Sequence, residues 1–172
     1  MNALIRTVRT SPLTGISIDE VLTAVLVSEL LTPSRDLWLV SPWISDVVVL
    51  DNDNGDFDAL FAESPPSRCT LSEALGLLSS QGAHVHVVTR PVEHNQAFLR
   101  RLRRLATGPL SIREDPDMHE KTLCGYDWIL TGSMNFTVNG MGVNDEAMTY
   151  TVGGVDPAQA RLHFAHRWGS TQ

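Results

Sequence analysis

His119 and Lys121 stand two positions apart, Ser133 and Asn135 repeat that spacing further on, and Glu146 follows. In a β-strand, residues i and i+2 point to one face. The spacing therefore predicts an imidazole and an ammonium projecting together from one strand. That pairing suits displacement at phosphorus. The ammonium gives an anionic oxygen a fixed positive partner and stabilises charge that builds up in the transition state. The imidazole can attack phosphorus and form a phosphohistidine, so one hard displacement becomes two easier ones. The leaving oxygen then needs a proton from a second group.

The stretch from about Met118 to Ser133 reads as a β-hairpin. A three-residue loop, Gly125-Tyr126-Asp127, sets His119 opposite Ser133 on one face. A two-residue loop at Tyr126-Asp127 sets Met134 opposite His119 and splits the polar set across two faces. The three-residue loop is the expectation, because it lets Ser133 and Asn135 offer hydrogen bonds to phosphate oxygens. Glu146 would hold the second ring nitrogen of His119 and fix its tautomer. Each of these residues alone is a weak signal, since a lone histidine is more often structural; the ordered set is much stronger.

His119-Glu120-Lys121, then Gly132-Ser133-Met134-Asn135, then Asn144-Asp145-Glu146 resembles the catalytic signature of the phospholipase D superfamily. The buried strand of Leu37 to Val40 closed by Ser41-Pro42-Trp43 also looks like the first strand of that fold. The resemblance implies an α/β domain with a mixed sheet flanked by helices, and metal-independent cleavage of phosphodiesters with no cofactor. His119, Lys121 and Glu146 would be catalytic and Ser133 and Asn135 would bind the substrate phosphate. This chain departs from the pattern in its turn. The superfamily places an Asp five residues after the Lys, where Tyr126 stands here, and the hairpin is one residue shorter. Asp127 is therefore not assigned to catalysis.

The signature occurs once in 172 residues, whereas two-motif members build one site between two halves of a longer chain. His84, His86 and His94 lack a Lys two positions on. The resemblance to small bacterial nucleases implies a homodimer sharing His119 and Lys121 from each subunit. A partner of different sequence is the alternative. The string from His119 to Gly125 with Gly132-Ser133-Met134-Asn135-Phe136-Thr137 is also similar to DpdK-type proteins, which accompany a 7-deazapurine DNA-modification and restriction cluster. That likeness implies DNA as substrate, a role in phage defence, and partner proteins of such a cluster. A catalytically silent DNA-binding or assembly subunit of the same fold is the competing reading, and a phospholipase a third.

Length suits a single domain spanning 1–172, with 1–16 as an irregular lead. Net charge is -7, unlike a general nucleic-acid coat, though it leaves room for a local basic groove. Cys69 and Cys124 are too few for a disulfide framework and read as buried thiols. No secretory signal or membrane span is evident, so a cytoplasmic protein is expected. Asp51-Asn52-Asp53-Asn54-Gly55-Asp56 superficially suggests a calcium loop, but its twelfth position is Ala62 rather than Glu, so a surface loop is expected.

The elements that must position the motif are legible around it. Ser17 and Glu20 make a capping box for a helix through Leu31, and Thr70 and Glu73 another for a helix to Ser80. Ala83 to Thr89 alternates as a strand, with Val85 and Val87 on one face and His84, His86 and Val88 on the other. A helix over 91–107 carries Arg100, Arg101, Arg103 and Arg104, read as a solvated face slightly ahead of a phosphate-binding edge. A strand over 146–152 and a helix over 157–168 complete the α/β order.

Overall fold

A computed structural model describes residues 3–9, 17–61, 64–142 and 146–169. The amino end opens with strand β1 (Leu4–Arg9), helix α1 (Ile18–Leu31) and strand β2 (Asp36–Val40). Strands β3 (Val48–Asp51) and β4 (Arg68–Thr70) form a separate two-stranded sheet. Helix α2 (Leu71–Ser80), strand β5 (His84–Thr89), helix α3 (Glu93–Leu105) and strand β6 (Leu110–Glu114) follow. The hairpin strands β7 (Thr122–Cys124) and β8 (Trp128–Gly132) lead to α4 (Val138–Gly142), β9 (Ala147–Val152) and α5 (Asp156–Trp168).

The large sheet runs β1-β9-β8-β7-β2-β5-β6. β2, β5 and β6 are parallel, and β7, β8, β9 and β1 add antiparallel partners. The parallel part arises because α2 and α3 each separate two strands, as a crossover between parallel neighbours requires. Strand alternation divides the core in two. Leu37, Leu39, Val85, Val87, Leu123 and Leu130 pack toward α1, α2 and α3. Trp38, Val40, Val88 and Cys124 pack toward Phe164 and Trp168 of α5 on the other face.

Both capping boxes form. Glu20 N–H donates to Ser17 Oγ at 3.2 Å while Ser17 N–H donates to Glu20 Oε2 at 2.7 Å. Thr70 N–H donates to Glu73 Oε2 at 2.8 Å. These signals are local, so the sequence alone carries them. Arg101 is held between Asp46 and Glu73, which removes it from any phosphate-binding edge of α3. Cys69 and Cys124 are both buried free thiols, and burial pushes each up to about 12. The acidic loop is folded on itself: Asn52 donates to Asp58 and to the Pro66 carbonyl and accepts from Phe57 N–H.

The lead is not irregular throughout. Residues 4–9 form β1, the edge strand, paired to β9 from Leu4↔Val152 to Arg9↔Ala147. Only Val8 of this strand is buried, so no alternating apolar pattern announces it; its backbone pairing creates it. Of the remainder of the expected lead, residue 3 is described, and 1–2 and 10–16 lie outside the described residues.

Asp36, His84 and His86 bring potential metal-ligand atoms within 4.8 Å of one another, at the amino ends of β2 and β5. The His86 ring stacks on Trp38 at 4.0 Å and its Nε2 lies 2.9 Å from Asp36 Oδ1, while His84 Nε2 lies 2.7 Å from Ser111 Oγ. Burial lowers the His86 pKa below the ordinary 6.5, with the Asp36 bond opposing and the neighbouring His84 assisting. The unfolded chain therefore takes up this proton first as pH falls. The associated stability is complete above about 6.5 and declines as pH drops from there through the folded value. A His86→Phe variant, which keeps the stack on Trp38, should show a shallower loss of urea midpoint between about pH 7 and 5.5 than the parent chain. Equal slopes would remove His86 from this dependence.

Candidate active site

His119 and Lys121 lie along the edge of the sheet where β2 and β5 end and β7 begins. Val40, the last residue of β2, pairs with Thr122, the first of β7. Ligands in open α/β sheets favour this carboxyl edge of parallel strands. Ser41-Pro42-Trp43 leaves β2 there, Arg90 leaves β5 there, and His119 arrives from the segment after β6.

The hairpin differs from the expected one. Gly125 N–H donates to Trp128 O at 3.1 Å, and Cys124 pairs with Ile129 and Thr122 with Thr131. The turn is therefore the two-residue Tyr126-Asp127 form, not the three-residue loop. The cause lies outside the hairpin. Trp128 Nε1–H donates to the buried Glu29 carboxylate at 2.8 Å, and Tyr126 N–H donates to Ser34 Oγ at 2.7 Å. A Cβ on Gly125 would stand 2.3 Å from Trp128 Nε1, so only glycine lets the indole cross the turn. The α1–β2 junction thus clamps the turn from beneath.

With this register the expected opposition of His119 and Ser133 is lost, and regular pairing of the hairpin stops at Thr122. His119 and Lys121 precede β7 rather than lying in it, a second correction to the expectation. One ladder bond continues, from Gly132 N–H to Lys121 O at 3.2 Å. Ser133 is opposite Ala147 instead of His119: its N–H donates to Ala147 O at 3.0 Å, and its Oγ accepts from Ala147 N–H at 3.0 Å. Glu146 is half-buried beside that contact, immediately before β9. Asn144 of the same motif lies outside the described residues.

His119 is exposed and Lys121 half-buried, and both line an open cleft of about 480 Å³ with Thr122, Thr131, Gln159 and His163. Lys121 Nζ donates to the His119 carbonyl oxygen at 2.8 Å, which folds the ammonium back beside the histidine. Asn135 Oδ1 is buried with no hydrogen-bond partner among the described residues. An acceptor left unpaired in this way is costly, and such groups in native folds call for an explanation.

Sequence reasoning missed Arg90. Its Nη2 lies 2.9 Å from His119 Nδ1 and 3.0 Å from Nε2, and its Nε donates to Met118 O at 2.9 Å. One guanidinium nitrogen lies within reach of both ring nitrogens and places a cation against His119. Nothing in the Thr89-Arg90-Pro91 string marks it; only the strand ending at this edge does. The turn that carries Trp43 is pinned from below by Asn95, which is fully buried. Asn95 Oδ1 accepts from Ile44 N–H at 2.9 Å, and Nδ2 contacts Pro42 O at 2.9 Å, Thr89 Oγ1 at 2.6 Å and Arg90 O at 2.9 Å.

A family model described as cardiolipin synthase, PLD-like domain, matches residues 60–168, which include the whole motif. The chain belongs to this phospholipase D-like family. Among solved structures, the phospholipase D family member Nuc from Salmonella typhimurium is similar over 99% of this chain and 97% of its own, with a TM-score of 0.65 and 15% identity. NucT from Helicobacter pylori is similar over 95% of each chain, with a TM-score of 0.57 and 12% identity. Polyphosphate kinase from Porphyromonas gingivalis matches 98% of this chain but 24% of its own, with a TM-score of 0.61 and 13% identity. At these identities the likeness establishes the phospholipase D-like mixed sheet and does not name a substrate. No curated protein sequence matches the chain. Among the described residues, no helix is long and apolar enough to cross a membrane.

Proposed function

We propose that the chain is a metal-independent phosphodiesterase that cleaves DNA through His119 in a homodimer. The observation that carries this reading is that His119 and Lys121 line one open cleft, with Arg90 against the His119 ring, in a chain with a single copy of the motif. In the first step a His119 ring nitrogen attacks phosphorus and the P–O bond to the leaving nucleotide breaks. The partner's copy of the same histidine gives that oxygen its proton. In the second step water attacks the phosphohistidine, the P–N bond breaks, and the partner histidine takes the water's proton. Lys121 and Arg90 hold the non-bridging oxygens. Ser133 and Asn135 add hydrogen bonds from their hydroxyl and amide N–H groups, and a water donating to the orphaned Asn135 Oδ1 would satisfy it. Glu146 orients His119. Guanidinium prefers a bidentate phosphate to an imidazole edge, so arrival of substrate draws Arg90 off the ring and frees the nucleophile.

A cytoplasmic setting fits the two free thiols. The narrower likeness in the 119–137 string supports a role in DNA restriction or phage defence beside proteins of a modification cluster. The competing reading, a silent DNA-binding subunit, draws on the same page: the isolated subunit has its nucleophile and ammonium tied up by Arg90 and by backbone.

Cleavage in excess EDTA separates the readings. DNA lost under chelation supports the enzyme, DNA bound but uncut supports the silent subunit, and phosphatidylcholine turnover with DNA untouched supports a phospholipase. The shared site makes a further demand. If each site needs two histidines, mixed dimers are dead. An equal mixture of parent and His119→Ala subunits, refolded together, should keep about a quarter of the parent activity rather than about half. Retention of half, or full activity in a sedimenting monomer, would remove the dimer mechanism.

A further inference from the structure

Three of the four tryptophans are buried, Trp38 at 3%, Trp128 at 6% and Trp168 at 8%, and two of them spend their indole N–H on Glu29 and Asp115. Trp43 is 39% exposed, and the guanidinium of Arg90 lies 5.3 Å from its ring centroid. Arg90 is the same residue that meets the His119 ring. An exposed indole is therefore one side chain away from the nucleophile.

This indole is exposed on a rigid pedestal. Ser41 N–H donates to Val88 O at 3.0 Å and Ser41 Oγ–H to Trp43 O at 2.9 Å. Asn95 grips the backbone on both sides of Trp43, at Pro42 O and Ile44 N. Ser45 N–H donates to Phe136 O at 2.8 Å, which ties the turn to the segment carrying Asn135. A flat ring on a backbone already fixed by these bonds loses little further freedom when a partner lies on it. The ring is flat, and the cation at its face also reaches toward the phosphate position. A planar base attached to a phosphate matches both groups at once. A base can lie on an indole only after leaving its own stack, which selects a single strand.

We propose that Trp43 is the stacking platform for the nucleobase next to the phosphodiester that His119 attacks, with Arg90 bridging from that base to the phosphate. The substrate class is then single-stranded nucleic acid. This rests on the nuclease reading of the same site.

The test uses the full chain carrying His119→Ala, so that substrate is held and not cut. A short thymidine oligonucleotide should quench tryptophan fluorescence, and the quench should disappear in a background of Trp43→Phe while affinity is largely kept. Trp43→Ala should weaken binding roughly 10- to 100-fold, the span for losing one stacked base. A strand of the same length with abasic sites should bind the unsubstituted Trp43 protein equally weakly, a comparison that needs no variant at the platform. Duplex of the same sequence should also bind more weakly. Equal affinity for the abasic and thymidine strands, or tightest binding to duplex, would overturn the proposal. Its failure is distinguishable from failure of the nuclease reading. Parent protein that cuts abasic and thymidine strands equally keeps the enzyme and loses the platform. Base-dependent binding with no cleavage keeps the platform and loses the enzyme.

Discussion

His119→Ala is expected to lower the rate of phosphodiester cleavage by roughly 10⁴-fold or more, the scale seen when a covalent nucleophile is deleted from a preassembled site. Stability should hardly change, because His119 is exposed and contributes no buried apolar surface. Its recorded ring contact is with Arg90, whose Nε remains anchored on Met118 O at 2.9 Å without it. The dimer should also persist. Two measurements read this together: single-turnover cleavage of labelled DNA in EDTA, and acid-labile label retained on the protein after rapid denaturation. The parent chain should carry the label and the variant should not. A variant that cuts within tenfold of the parent would show that another residue attacks phosphorus. Lys121→Ala should cost less, since Arg90 remains as a cation against the His119 ring.

Asn95→Leu should be the most damaging single change near the site that touches no substrate. The side chain is fully buried, and leucine is close to it in volume, so packing is nearly conserved while every polar contact is lost. Ile44 N–H loses the partner that Asn95 supplies at 2.9 Å, while Pro42 O keeps Thr89 Oγ1 at 3.3 Å and Arg90 O keeps Val92 N–H at 2.8 Å. A buried donor stripped of its partner costs about 1–3 kcal/mol, and the weakened bonding at Pro42 O and Arg90 O adds to that. That is a large share of a typical domain's stability. The damage reaches function as well, because the same bonds hold Trp43 and the backbone of Arg90. Urea unfolding should show a clear drop in midpoint, and activity in native conditions should fall in the fraction that stays folded. A loss under about 1 kcal/mol would mean that water replaces the amide and the pedestal is not rigid.

Helix caps and strand alternation were legible because they depend on residues three apart or two apart. Ser17 with Glu20, Thr70 with Glu73, and the split of Val85 and Val87 from His84 and His86 all follow from backbone geometry within a few residues. The family motif was legible for a different reason. Attack on phosphorus needs a nucleophile, a cation and hydrogen-bond donors in order, and few other demands on a chain would place His119, Lys121, Ser133 and Asn135 in that order.

Features that join distant segments were not legible. β1 shows one buried residue and no pattern, and exists because β9 offers it an edge. The turn at Tyr126-Asp127 is the tighter of two forms that the hairpin allows. Glu29 and Ser34, almost a hundred residues upstream, select it by bonding Trp128 and Tyr126. Arg90 looks ordinary until β5 ends beside the segment carrying His119. By itself, then, the amino-acid sequence determined the local elements and marked the candidate reacting groups. Which groups meet, and on which side of the hairpin, was decided only by buried contacts between distant segments, because the energy that selects among locally equivalent turns and edges is tertiary.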